Sequence, residues 1–135
     1  MTFEELEHTA DVLVRVRAAS INELFADAAR ALFSVMYGPC RDAGIVQRLT
    51  VEAGDPESLL HDFLSELLFI ADVENVVLCR FELDVGEGSL SAVMHGEPFD
   101  PAKHAGGTII KGISYSGLRI VKDDETYGVD VLFDV

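Results

Sequence analysis

Two stretches of this chain carry residue types suited to holding a hard cation, and they stand at its opposite ends. Near the start, Phe3-Glu4-Glu5-Leu6-Glu7-His8-Thr9-Ala10-Asp11 sets three glutamates, a histidine and an aspartate at the head of the alternating run Val12-Leu13-Val14-Arg15-Val16-Arg17. At the other end, Val129-Asp130-Val131-Leu132-Phe133-Asp134-Val135 alternates in the same way and is expected to stop on an aspartate and a free carboxylate. If the two runs are neighbouring strands, Asp11, Asp134 and the Val135 carboxylate crowd together. Two bare carboxylates ~4 Å apart repel by about 4 kcal/mol at an effective dielectric near 20. A divalent ion relieves that repulsion, and an all-oxygen set suits calcium, magnesium or manganese better than zinc. The bland reading is a pair of solvated strand-end aspartates.

Other residues add to this constellation or compete with it. His8 could be a ligand, a base or a hydrogen-bond partner of Asp11; otherwise it is a half-buried loop histidine. His95, Glu97, His104 and Lys111 are types that could do acid–base work, and a hydrolase built on the 95–104 loop is the enzyme reading they allow. No nucleophile-plus-base motif stands beside them. Gly-x-Ser-x-Gly, His-Glu-x-x-His and Gly-x-x-x-x-Gly-Lys are all absent. The Gly106-Gly107 pair has no helix behind it to cradle a phosphate. Lys111 by itself reads as a solvated lysine.

The elements that must position these residues follow from periodicity. Residues 11–18 form a strand, with residues 3–7 as a strand or extended lead-in. Ser20 and Glu23 make a capping box. The helix behind it carries Leu24, Phe25, Ala28, Ala31, Leu32, Val35 and Met36 on one face and ends at Gly38-Pro39. Residues 45–53 form a strand. Asp55-Pro56 starts a second helix, with Leu59, Leu60, Phe63, Leu64, Leu67, Leu68 and Ala71 on one face. Residues 76–85 and 90–95 make a hairpin around Gly86-Glu87-Gly88. A polar loop runs from Gly96 to Gly107, and residues 108–115, 118–122 and 127–135 are three further strands. The expected fold is α+β in two layers: a mostly antiparallel or mixed sheet of six or seven strands with two helices on one face.

At 135 residues the chain is expected to be one domain, 1–135, with a composition, 49% hydrophobic and 25% charged, ordinary for a packed core. No apolar run approaches the ~20 residues of a membrane span. The acidic first residues are not a secretory signal, so cytoplasm is the expected compartment. Cys40 and Cys79 are therefore expected as separate buried or surface thiols. A net charge of −14 with only ten Lys and Arg argues against tight direct binding to nucleic acid and for action through a protein partner.

The ordered set of pieces resembles the archease family from end to end. It runs through Phe3-x-x-Leu6-x-His8-Thr9-Ala10-Asp11, Ser20-x-x-Glu23-Leu24-Phe25-x-x-Ala28-Ala29 and Phe63-Leu64-Ser65-Glu66-Leu67-Leu68. It continues through Gly96-Glu97-x-x-Asp100-x-x-Lys103-His104, Ile110-Lys111-Gly112-Ile113-Ser114-Tyr115 and Val131-Leu132-Phe133-Asp134-Val135. Phe63 and Tyr127 stand where the family commonly has tryptophan, and Ser116 where a histidine often follows the tyrosine. The resemblance implies an accessory protein, not an enzyme. Its partner would be the tRNA-splicing RNA ligase, whose guanylylation and multiple turnover it promotes. It also implies a metal site on Asp11, Asp134 and the Val135 main chain or carboxylate, with calcium the expected ion and magnesium or manganese the alternatives. His8 and Lys111 are the expected partner contacts. The alternative is a chaperone-like partner of a tRNA cytosine methyltransferase or another RNA-processing enzyme, with the metal only stapling the chain ends.

Overall fold

The computed structural model describes residues 2–6 and 11–135; the expectations placed on His8 and Thr9 lie outside the described residues. The chain runs β1 (Thr2–Leu6), β2 (Asp11–Ala18), α1 (Ile21–Tyr37), β3 (Ile45–Glu52), α2 (Pro56–Glu74), β4 (Val76–Val85) and β5 (Ser89–Pro98). A short α3 (Pro101–His104), β6 (Gly112–Ile113), β7 (Val121–Asp123) and β8 (Thr126–Asp134) follow.

The fold is α+β with antiparallel pairing throughout. The strands divide between two sheets where one was expected. One sheet has the order β1-β2-β8-β6, with β7 also pairing β8; the other is β3-β5-β4. Both helices start as their sequences dictate. The Ser20 hydroxyl accepts the Glu23 N–H at 3.1 Å. The Asp55 carboxylate accepts the Ser58 N–H at 2.7 Å, which satisfies a donor left over at a helix N-terminus.

The second sheet changes what α1 must bury. One apolar face was expected, yet Leu24 through Ala29 are buried without a break, and Phe33 as well. The physical reason is enclosure: α1 packs on β2 and β8 of the first sheet and on β4 of the second. A helix covered on both sides needs small apolar residues between its large ones, and Ala26, Ala28, Ala29 and Ala31 supply them. The buried acid of this helix, Asp27, pairs with Arg30, and burial pushes its carboxyl up. α2 lies against α1, β3, β4 and β6, with Phe63 stacked 6.3 Å from Phe25.

Three further expectations change. The 96–107 loop is largely ordered, since Gly96 to Pro98 belong to β5 and residues 101–104 are helical. Gly96 is there because β4 crosses too close for a side chain: a Cβ would sit 1.9 Å from the Val77 carbonyl oxygen. Of residues 108–115 only Gly112 and Ile113 pair, and of residues 118–122 only Val121 and Lys122. Cys40 and Cys79 are joined in a disulfide, Cα to Cα 5.7 Å, and are not separate thiols. The pairing of β4 with β5 slips between Leu78 and Arg80, which leaves Cys79 as the extra residue of a bulge beside the loop that follows α1.

Candidate functional site

β2 and β8 are neighbours in the first sheet, and their register sets Asp11 directly opposite Asp134. Directly opposite residues on antiparallel strands project to the same face with Cβ atoms roughly 4.5–5.5 Å apart. Which face follows from the pattern. Val14 and Val16 are buried together with Val131 and Val129, so Asp11 and Asp134 lie on the other side with Leu13, Leu132, Arg15 and Asp130. Asp11 is half-buried, while Asp134 and Val135 are exposed. Four pairs along the ladder, on the same face, Arg15 meets Asp130 across the strands at 2.9 and 3.2 Å. That carboxylate raises the arginine's pKa, by hydrogen bonding first and by charge second.

The other edge of β8 brings Lys111 and Gly112 to the same place. Gly112 pairs with Asp134, and the Lys111 N–H donates to the Asp134 carbonyl oxygen at 2.7 Å. A Cβ on Gly112 would stand 3.6 Å from Asp134 Oδ2, so the glycine keeps the space beside that oxygen open. The structure thus gathers Asp11, Asp134, Val135 and Lys111 at one strand end. Among the described residues, no group of three or more His, Cys, Asp or Glu side chains comes together to enclose a metal ion. Any cation here would rest on two carboxylates and main-chain oxygens.

Residues outside the sequence-based set hold this end in place. His61 Nε2 lies 3.0 Å from the Ile113 carbonyl oxygen and its Nδ1 3.0 Å from Asp62, so α2 grips β6. The Tyr115 ring packs edge-on to His61 at 5.2 Å, and its hydroxyl bonds the Ser58 hydroxyl. Glu57 accepts the Ile120 N–H at 2.9 Å. The only sequence signal for these contacts was the polar edge of an otherwise apolar helix.

The 95–104 residues are organised otherwise than a hydrolase requires. The Asp100 N–H donates to His104 Nδ1 at 2.9 Å, which assigns the proton to Nε2, and Nε2 lies 3.2 Å from Glu97. Both ring nitrogens of this fully buried histidine are occupied. Glu97 also accepts Lys103 Nζ at 2.8 Å on both oxygens and the Arg41 N–H at 2.9 Å. Lys103 first, then the Arg41 N–H, holds the Glu97 carboxyl down at about 2. His95 instead pairs with Glu82 at 2.8 Å. The cluster ties α3 and the loop after α1 to β5; it leaves no free base beside a nucleophile.

Comparison with known proteins decides the family. The model of the Archease protein family matches residues 3–135. The chain belongs to the archease family. A protein archease-like of Drosophila melanogaster is 36% identical over 143 residues, covering 100% of this chain and 91% of the fly protein. The solution structure of Methanobacterium thermoautotrophicum protein 1598 superposes with a TM-score of 0.82 at 27% identity, over 98% of each chain. A Thermotoga maritima archease, described as a possible chaperone, shares the fold at a TM-score of 0.68 and 19% identity, over 98% of this chain and 96% of its own. Among the described residues of this archease-family chain, no helix is long and apolar enough to cross a membrane.

Proposed function

We propose that the chain is an accessory protein of the tRNA-splicing RNA ligase, promoting the ligase's guanylylation and its multiple turnover through the edge that carries Asp11, Asp134 and Lys111. The observation that supports this most is the register that sets Asp11 against Asp134 at one strand end, beside Lys111. A fold needs no two carboxylates facing each other there, and their repulsion costs stability. The donor set fits a hard divalent cation, calcium first, because it is all oxygen and Gly112 leaves room beside Asp134 Oδ2. Asp11, Asp134 and a main-chain oxygen of Val135 would hold it. When bound, such an ion neutralises the pair and presents positive charge where a partner's phosphate groups would lie.

The chain's own residues do the rest. The acidic surface, −14 overall, steers the protein toward a basic RNA-binding enzyme and raises the association rate more than the affinity. Lys111, exposed just before β6 and beside Asp134, supplies a cation that can pair with an acid or a phosphate of the partner. The His61 and Glu57 contacts keep the 111–120 segment rigid, so that the edge meets its partner already shaped.

A multiple-turnover ligation assay with the cognate ligase, GTP and a divalent metal tests this. The protein should raise the number of turnovers, and Asp11→Ala or Asp134→Ala should remove the effect without unfolding the domain. The second reading, a chaperone-like partner of a tRNA cytosine methyltransferase, gains support from apolar side chains exposed on α2. It predicts suppression of that enzyme's aggregation whether or not Asp134 is present.

A further inference from the structure

A groove of about 580 Å³ runs between α2 and the 105–111 segment, floored by Met36, Tyr37, Leu68 and Phe99. Its rim carries apolar side chains open to water, with the acid Asp72 among them. Phe69 is 63% exposed and Ile109 79%, and Val73, one helical turn beyond Phe69, is 59% exposed. The segment is built to stand this way. Gly107 presses on the end of α1, where a Cβ would lie 1.9 Å from the Met36 carbonyl oxygen, and the Thr108 N–H donates to Val35. Ile110 turns into the core, and Ile109 is left outside. Exposed apolar clusters of this kind mark surfaces that dock a partner.

The charges around the groove say what partner. Glu66 and Asp72 are exposed on the same side of α2 as Phe69 and Val73, so acids and apolar side chains alternate along it. RNA and anionic lipid would be repelled by that rim. A second copy of a chain carrying −14 would set acid against acid. A protein segment with apolar anchors flanked by Lys or Arg meets both features at once. Lys111 is part of the groove's lining, and the Lys111 N–H bonds Asp134, so a segment lying in the groove lies beside the Asp11–Asp134 edge.

We propose that the groove rimmed by Phe69 and Ile109, with Val73 exposed on α2 beside it, docks a basic amphipathic segment of the partner protein and so delivers the partner to the carboxylate edge. This rests on the accessory-protein reading for the partner's identity, but the surface can be tested without it. The probe is a labelled helical peptide of leucine and lysine, set against the same peptide with glutamate in place of lysine. The lysine peptide should bind and shift the NMR signals of Phe69, Val73 and Ile109, and the glutamate peptide should not bind. The double variant Phe69→Ser/Ile109→Ser, with its fold checked by the same spectra, should bind at least about tenfold more weakly, since it removes two central anchors. Shifts spread over the whole acidic surface, equal binding by the variant, or a dimer of the wild type that the variant abolishes would each overturn the proposal.

The ligation assay separates the two ideas. The double variant should need about tenfold more protein for half-maximal stimulation and reach the same plateau, whereas Asp134→Ala lowers the plateau. Peptide bound in the groove without stimulation of the ligase would defeat the ligase reading alone. Stimulation with an unchanged half-maximal concentration would defeat the groove.

Discussion

Replacing Asp134 by asparagine should stabilise the protein when no metal is present and destabilise it relative to wild type when calcium is. Asp134 is exposed and its partner across the strand, Asp11, is half-buried, so the screening between them is close to that of water. With the carboxylates ~5 Å apart, the repulsion is about 0.8 kcal/mol at the dielectric of water and about 3 at an effective value of 20. Taking the lower figure, and about 4 °C per kcal/mol for a domain of this size, Asp134→Asn should melt about 3 °C above wild type in chelator and low salt. At 1 M salt the gain should vanish, because the screening length falls to about 3 Å. Calcium at tenfold its dissociation constant adds about 1.4 kcal/mol to wild type and nothing to a variant that no longer binds it. The order of the two melting temperatures should therefore invert. Differential scanning fluorimetry across calcium and salt reads all of this. An asparagine variant that melts below wild type in chelator, or that gains as much from calcium, would refute the reasoning.

Other consequences concern the frame around the site. Gly96→Ala forces a Cβ to within 1.9 Å of the Val77 carbonyl oxygen, so it should lower the stability measured by urea unfolding by about 2–3 kcal/mol, the upper range for overpacking. The folded Glu97 carboxyl is held at about 2, against an ordinary 4.5. Its stabilising effect is therefore present above about pH 4.5 and lost as pH falls toward 2. Melting temperature followed through that window should fall less steeply in Glu97→Gln than in wild type. The disulfide closes 39 residues, so reduction, or Cys40→Ser, should cost about 2–4 kcal/mol in equilibrium unfolding, and reductant should leave the Cys40→Ser variant unchanged.

The sequence made the two end strands and both helix starts legible because each is a local signal. Alternation marks residues 11–18 and 129–135, and Ser20 and Asp55 cap the helices as their side chains suggest. The pairing of those two strands brings Asp11 to Asp134, as expected if the ends meet. What stayed hidden depends on contacts far apart in the chain. Alternation in β3, β4 and β5 reads the same whether they join β8 or form their own sheet. The run of buried alanines in α1 becomes intelligible only once that second sheet covers it. Residues 108–115 carry strand-forming types, but Gly107 pins the segment to α1 and only Gly112 and Ile113 enter the ladder with β8. Cys40 and Cys79 meet because of a bulge that no local pattern announces. His61, Tyr115 and Glu57 likewise act on residues more than fifty positions away or are held by them.

In the proposed role the Asp11–Asp134 edge acts on the ligase's own chemistry. The most direct measurement is the transfer of labelled GMP from GTP to the ligase, followed over time with no added protein, with wild type, and with Asp11→Ala or Asp134→Ala. The account predicts faster labelling with wild type and a rate near the unassisted one with either folded variant. Equal acceleration by all three proteins, or none by wild type, would contradict it.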